Sequence, residues 1–168
     1  RSGKGGKSTK LMSMKSEIGP CFWMGNLFAT NLLEITTDPK KIDDGFWAIS
    51  ITFDGKFTAA KFEDVKETNW PFDYLPLKEK NWQSSHSQNS YEQLVENFRS
   101  EISAGNVYQV NACRVLELES TESIKGLIAG FLAKNPANFA GYLAIPGLEI
   151  ASASPERFLE RRGEQIKS

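Results

Sequence analysis

A chain of 168 residues with 40% hydrophobic and 24% charged residues has the make-up of an ordinary soluble globular protein, long enough to bury roughly two-thirds of its unfolded surface. Its formal net charge of −1 supplies no overall field to draw in nucleic acid or an anionic membrane, and the only basic cluster is Arg1, Lys4, Lys7 and Lys10. No apolar run approaches the ~20 residues that cross a bilayer, and no charged segment followed by an apolar core marks a secretory leader. The expectation is a cytoplasmic protein with no nucleic-acid or membrane partner.

Residues 1–18 are rich in Gly, Ser and Lys without apolar periodicity, which predicts a disordered or non-native tail. Gly3-Lys4-Gly5-Gly6-Lys7-Ser8-Thr9 invites a phosphate-loop reading, but Gly3 is three residues before Gly6, where the motif needs a longer spacing, and no strand can precede it. Cys21 and Cys113 have no metal-ligand spacing. The expectation is two buried thiols in a reducing cytosol, with a disulfide open only if the fold brings them together. Asn31 to Thr37 reads as a short strand, and Phe46 to Phe62 as a β-hairpin turning at Asp54-Gly55. Residues 69–89 mix prolines and polar residues with Trp70, Phe72, Tyr74 and Trp82, and read as a connecting segment anchored by those rings. The lone His86 in it reads as a solvated loop histidine.

Ser90 with Gln93 forms a capping-box pattern ahead of an apolar stripe of Tyr91, Leu94, Val95, Phe98 and Ile102, so a helix is predicted from Ser90 to a Gly105 terminator. A long strand from Val107 to Glu119 is expected next. A second helix over Ser123 to Lys134 follows, with Leu127, Ile128, Phe131 and Leu132 facing the core and Asn135-Pro136 ending it. Two strands, Phe139 to Ile145 and Leu148 to Ser152, join through Pro146-Gly147, and a further hairpin begins near Arg157.

Two places carry possible chemistry. On a strand, Gln109 and Asn111 fall on one face and Tyr108, Val110 and Ala112 on the other. Spacing alone favours an amide pair bonded to nearby backbone or exposed at an edge; the functional reading is a pair that orients a polar ligand without adding charge. The second place is Ser154-Pro155-Glu156, where proline stiffens the chain next to a carboxylate. Ile150, Ala151, Ala153, Phe158 and Leu159 would give Glu156 apolar surroundings, and desolvation there favours the protonated form a general acid needs. Taken as a lone glutamate, Glu156 reads better as a surface residue paired with Arg157 or Arg161.

Taken in order, a helix, Ala104-Gly105-Asn106-Val107-Tyr108-Gln109-Val110-Asn111, a helix, Asn135-Pro136-Ala137, a Tyr142-bearing strand and Ala153-Ser154-Pro155-Glu156-Arg157-Phe158 resemble the chorismate-utilising enzymes. Within that superfamily the chain is most similar to component I of aminodeoxychorismate synthases. The likeness is dense from Tyr91 to Ile166 and loose from Cys21 to Phe62.

The resemblance implies an α+β fold of antiparallel β-sheets with flanking helices, in which residues 19–68 form the N-terminal region of the component I fold and residues 90–168 begin the chorismate-binding catalytic region. It implies Glu156 as the acid that protonates the departing C4 hydroxyl of chorismate, and Gln109, Asn111 and Ser154 as substrate-binding residues. Where water-adding relatives carry a lysine, Gln109 has no basic nitrogen, which points to ammonia as nucleophile. Asn111 points to the aminodeoxychorismate branch. The resemblance also implies a glutamine amidotransferase, separate or fused, as ammonia source. A Pro-Ile-Lys-Gly-Thr motif and the Mg²⁺ ligands are expected beyond Ser168, so the 168-residue chain alone is expected to be inactive. Anthranilate synthase component I is the nearest alternative; a non-catalytic module that keeps the fold is the alternative from another class.

Overall fold

The structure is a computed structural model that describes residues 19–78, 81–135 and 137–167. The expected tail over residues 1–18, with its Gly-Lys stretch, and Pro136 lie outside the described residues. The chain divides into two compact units, one running to Pro76 and resuming at Ser123, the other being Leu77–Glu122.

The first unit is built on a six-stranded antiparallel sheet. Its strands are β1 (Cys21–Met24), β2 (Leu27–Thr36), β3 (Phe46–Ile51), β4 (Phe57–Glu67), β7 (Phe139–Ile145) and β8 (Leu148–Ser154), in the order β3-β4-β2-β1-β7-β8. The predicted hairpin at Asp54-Gly55 is β3–β4, with Gly55 at φ +83 and Phe46 opposite Phe62. The predicted strand at Asn31 is the second half of β2, which begins four residues earlier. It is preceded by β1 across the two-residue link Gly25-Asn26, with Met24 opposite Leu27. β7 and β8 turn through Pro146-Gly147 as expected. Proline fixes φ at the first central position and Gly147 takes φ +77 at the second, the residue pattern of a type II turn. The hairpin expected near Arg157 forms from β9 (Glu160–Arg162) and β10 (Gln165–Lys167).

β7 lies between β1 and β8 and is buried on both faces, because Phe-Ala-Gly-Tyr-Leu-Ala-Ile alternates two apolar sets. Ala140 and Tyr142 join Cys21, Trp23 and Phe28 in one cluster, and Leu143 and Ile145 join Ala29, Ala48, Ala60 and Phe62 in the other. β3 is three strand positions from β1, which is ~14 Å on a flat sheet at ~4.8 Å per strand. The Phe22 and Phe46 rings nevertheless meet at 5.6 Å, so the sheet curls over its second face.

The first cluster is closed by α2 (Lys125–Lys134) and by residues 70–72. Ile124, Ile128 and Leu132, at four-residue spacing, set the buried stripe, with Ile128 only 1% exposed. Phe131, expected to face the core, is 45% exposed because it lies off this stripe. Of the four rings expected to anchor residues 69–89, Trp70 and Phe72 do so, in edge-to-face contact with each other and with Tyr142; Tyr74 and Trp82 are exposed. Gly126 and Gly130 leave one side of α2 open, against which Leu75 and the Tyr74 ring lie.

The second unit holds α1 (Gln88–Ser103) and a two-residue pairing of β5 (Gln83–Ser84) with β6 (Leu116–Glu117). The N-cap of α1 is Ser87, not Ser90. The Ser87 hydroxyl accepts from the Ser90 N–H at 3.2 Å, and the Gln93 amide donates to Asn97 instead of reaching back. Two serines three residues apart both offer a capping pattern, and the earlier one wins by adding a helical turn. The end at Gly105 is as expected: Gly105 at φ +76 donates to Ile102 and Asn106 donates to Glu101, a Schellman closure.

The long strand expected from Val107 to Glu119 is corrected. Only Leu116–Glu117 is paired, because a ladder needs a partner and β5 offers two residues. The thiols are corrected too: Cys21 is buried but Cys113 is exposed, and both are free. Among the described residues, no helix is long and apolar enough to cross a membrane.

Candidate functional site

The acid corner follows the end of β8. Phe139 pairs with Ser154, the last residue of that strand, and Pro155 cannot supply an N–H to continue the ladder. The Ser154 hydroxyl donates to the Glu156 carbonyl at 2.8 Å and closes the bend locally. Glu156 is exposed, as are Ala153, Leu159 and Phe158, the last at 87%. The expected desolvation of Glu156 is therefore corrected: its apolar neighbours face outward and bury nothing around it.

Nor do the nearby arginines neutralise it. Arg157 pairs with Glu160 and stacks its guanidinium 5.5 Å over the Phe139 ring, and Arg161 donates to the Gly163 carbonyl. Arg162, aided by Arg157, holds the Glu160 carboxyl below the usual glutamate range. The local cations are thus organised around Glu160, which leaves Glu156 at the tip of the bend.

The amide segment belongs to the second unit. Residues 107–115 form no ladder, but the Tyr91 hydroxyl on α1 donates to the Ala112 carbonyl at 3.1 Å and tethers them. Val110 and Ala112 are half-buried while Gln109, Asn111 and Cys113 are exposed. The two amides are therefore both exposed, with no strand here to fix the face they share. Tyr108, from the same motif, is 95% exposed. His86 is half-buried before α1, where its N–H and carbonyl both bond the Ser84 hydroxyl.

A polar cluster that the sequence reading did not single out lies in the first unit, where the first turn of α2 meets β7 and β8. The hydroxyls of Tyr142 and Ser123 both donate to the same Glu149 carboxylate oxygen. Tyr142 is 3% exposed, and burial followed by the neighbouring Glu149 pushes its phenol well above the ordinary range. Lys125 stands with its ammonium 5.7 Å over the Phe72 ring. The signal that could have found this cluster is Glu149 itself, a carboxylate inside Leu-Glu-Ile-Ala, where a strand built for burial has to supply donors for it.

Among the described residues, no group of three or more His, Cys, Asp or Glu side chains is placed to hold a metal ion.

The chorismate binding enzyme family matches residues 58–168, which contain all four candidate residues and the polar cluster. An aminodeoxychorismate synthase from Streptomyces pristinaespiralis is 34% identical over 89 residues, 53% of this chain and 12% of that protein. An anthranilate synthase component 1 from Haloarcula marismortui is 27% identical over 90 residues, 54% of this chain and 18% of that protein. The chain therefore spans under a fifth of either relative in these alignments, and no solved structure matches it significantly. With the family matching well over half of its length, and an antiparallel α+β architecture in accord, the chain belongs to the chorismate binding enzymes.

Proposed function

We propose that this chain is part of an enzyme that aminates chorismate to 4-amino-4-deoxychorismate, on the route to 4-aminobenzoate and folate, using ammonia from a glutamine amidotransferase. The observation that carries the reading is Gln109 in Tyr108-Gln109-Val110-Asn111, exposed beside Asn111 within the matched region. A neutral amide can orient a polar substrate but has no basic nitrogen to activate water, which leaves ammonia as the incoming nucleophile.

In this reading Glu156, on its proline-stiffened bend, gives its proton to the C4 hydroxyl, which departs as water. Ammonia forms the new C4–N bond and returns a proton. Gln109, Asn111 and Ser154 orient the substrate. A positioned general acid contributes roughly 10²- to 10⁴-fold in rate. Because Glu156 is exposed in this chain, exclusion of water around it has to come from substrate and from further protein packed over the bend. Mg²⁺ would supply positive charge to offset a substrate carboxylate, and it is assigned to no residue of this chain.

The test is Glu156→Gln in the full-length enzyme, assayed with chorismate, Mg²⁺ and ammonium, with product identified by mass. The expected result is 4-amino-4-deoxychorismate from the parent enzyme and a fall in kcat of roughly 10²- to 10⁴-fold in the variant. Unchanged kcat would remove the acid role. Anthranilate as product would establish the second reading, which the match to an anthranilate synthase component 1 favours. Chorismate binding without turnover would indicate a non-catalytic module.

A further inference from the structure

We propose that the cavity beside Tyr142 and Glu149 is a binding site for a small acid that carries, next to its carboxylate, a hydrogen-bond donor, amine or hydroxyl, on a short aliphatic body. The cavity is about 380 Å³ and its lining includes neither Ser154 nor Glu156. That volume is at the lower end of small-molecule clefts.

Its chemistry comes from two opposed charges on one apolar floor. Lys125 carries an ammonium that makes no ion pair among the described residues and is held in place over Phe72. Glu149 has one oxygen that accepts from both Tyr142 and Ser123. Both hydroxyl protons are thereby spent on Glu149, so this side of the cavity presents acceptors and Lys125 presents donors. Lys125 and Glu149 act in opposite directions on the Cys21 thiol, which also lines the cavity. The two charges thus flank the same space.

A ligand with only an acid would set its charge against Glu149, and one with only an amine would meet Lys125. A ligand bearing both satisfies each wall. Ile145 and Pro146 supply the apolar surface for its body, and the Phe72 face is already taken by Lys125, which favours an aliphatic body over an aromatic one.

The experiment uses the full 168-residue chain and a matched set with one carbon skeleton: leucine, 2-hydroxy-4-methylpentanoate, 4-methylpentanoate and 3-methylbutylamine. Binding is read by ligand-observed NMR and by protection of Cys21 from alkylation. Leucine, the hydroxy acid or both should bind, and the acid and amine lacking the second group should be weaker by at least about tenfold, the loss of one charge-assisted contact. Lys125→Met, checked for an unchanged melting temperature, should weaken binding to the same degree. Glu149→Gln should spare the hydroxy acid relative to leucine. Which of the two bifunctional probes binds tells whether the donor is an ammonium or a hydroxyl. Equal binding of all four probes, no binding at millimolar concentration, or an undiminished Lys125→Met would overturn the proposal.

Discussion

Two glycines four residues apart on α2 provide a test in which the same substitution should give opposite signs. A Cβ added at Gly126 would lie 2.5 Å from the Leu75 Cβ and 2.8 Å from both its backbone N and O. Carbon atoms prefer 3.5–4.0 Å, so the overlap is about 1 Å or more. The backbone of Leu75 cannot readily retreat, since its N–H donates to the Gly126 carbonyl at 3.3 Å and Phe72, three residues before it, is locked in the core. Overpacking of this kind costs ~1–3 kcal/mol. Against it stands the helix preference for alanine, up to ~1 kcal/mol in a helix interior and less in the first turn, where Gly126 sits. Gly126→Ala should therefore destabilise the first unit by roughly 1–2 kcal/mol. At Gly130 the atoms nearest the added Cβ all belong to the Tyr74 ring, the first at 2.6 Å, and that residue is 57% exposed with room to swing outward. Gly130→Ala should thus be neutral or stabilising by up to ~1 kcal/mol. Urea unfolding followed by tryptophan fluorescence, which reports Trp23, Trp47 and Trp70 in this unit, measures both. If Gly126→Ala proves at least as stable as the parent, or less harmful than Gly130→Ala, the account of α2 packing on residues 74–75 fails.

Burial raises the Cys21 thiol from the usual 9.0 to about 11, partly opposed by Lys125 and aided by Glu149. Its thiolate fraction at pH 8 is then roughly 100-fold below that of an ordinary thiol, so a thiol-reactive probe should label exposed Cys113 rapidly and Cys21 only as the unit opens. Because the folded pKa lies above the unfolded one, the stability that the protonated thiol contributes is fully present below pH 9 and falls as pH rises towards 11; a flat urea midpoint across that window, or one that moves in the Cys21→Ala variant as it does in the parent, would contradict this. Ser87→Ala should cost the start of α1 ~1 kcal/mol and Ser90→Ala less, read by amide exchange at Asn89 to Tyr91; the reverse order would restore Ser90 as the cap.

The hairpins were the most legible elements because local chemistry decides them. Asp54-Gly55 and Pro146-Gly147 supply the positive φ that their turns require, so strand partners follow from proximity in the chain. β1 is not evident in the sequence although Gly25-Asn26 carries a comparable signal, since only four residues precede that turn as strand. Its pairing with β7 joins residues more than a hundred positions apart, and no local pattern specifies such a contact. The core face of α2 was legible only in part: helical periodicity found Ile128 and Leu132 but also admitted Phe131, because a short helix that is apolar nearly all round does not select one stripe. For the site, the motif residues were legible as residues, whereas the burial expected of Glu156 was not. Apolar neighbours in sequence desolvate a carboxylate only when something packs over them, and Phe158 and Leu159 point away from any such contact here.

The amide segment shows how these two kinds of information separate. Periodicity two groups side chains by side, and it holds over 109–113 only: Val110 and Ala112 are half-buried while Gln109, Asn111 and Cys113 are exposed, whereas Tyr108, at a bend, is 95% exposed against that pattern. Ladder formation is a different matter, since each backbone N–H and C=O needs a partner from another strand and α1 contributes only the Tyr91 hydroxyl to Ala112. Chain without a ladder is held by few contacts, so the alternation over 109–113 is not fixed by sheet geometry. A strand supplied alongside residues 107–115 would convert that alternation into fixed register, and with a period of two it would leave Gln109 and Asn111 on the same side as each other. The shared exposure of Gln109 and Asn111 is therefore present before any pairing of strands that would hold it rigid.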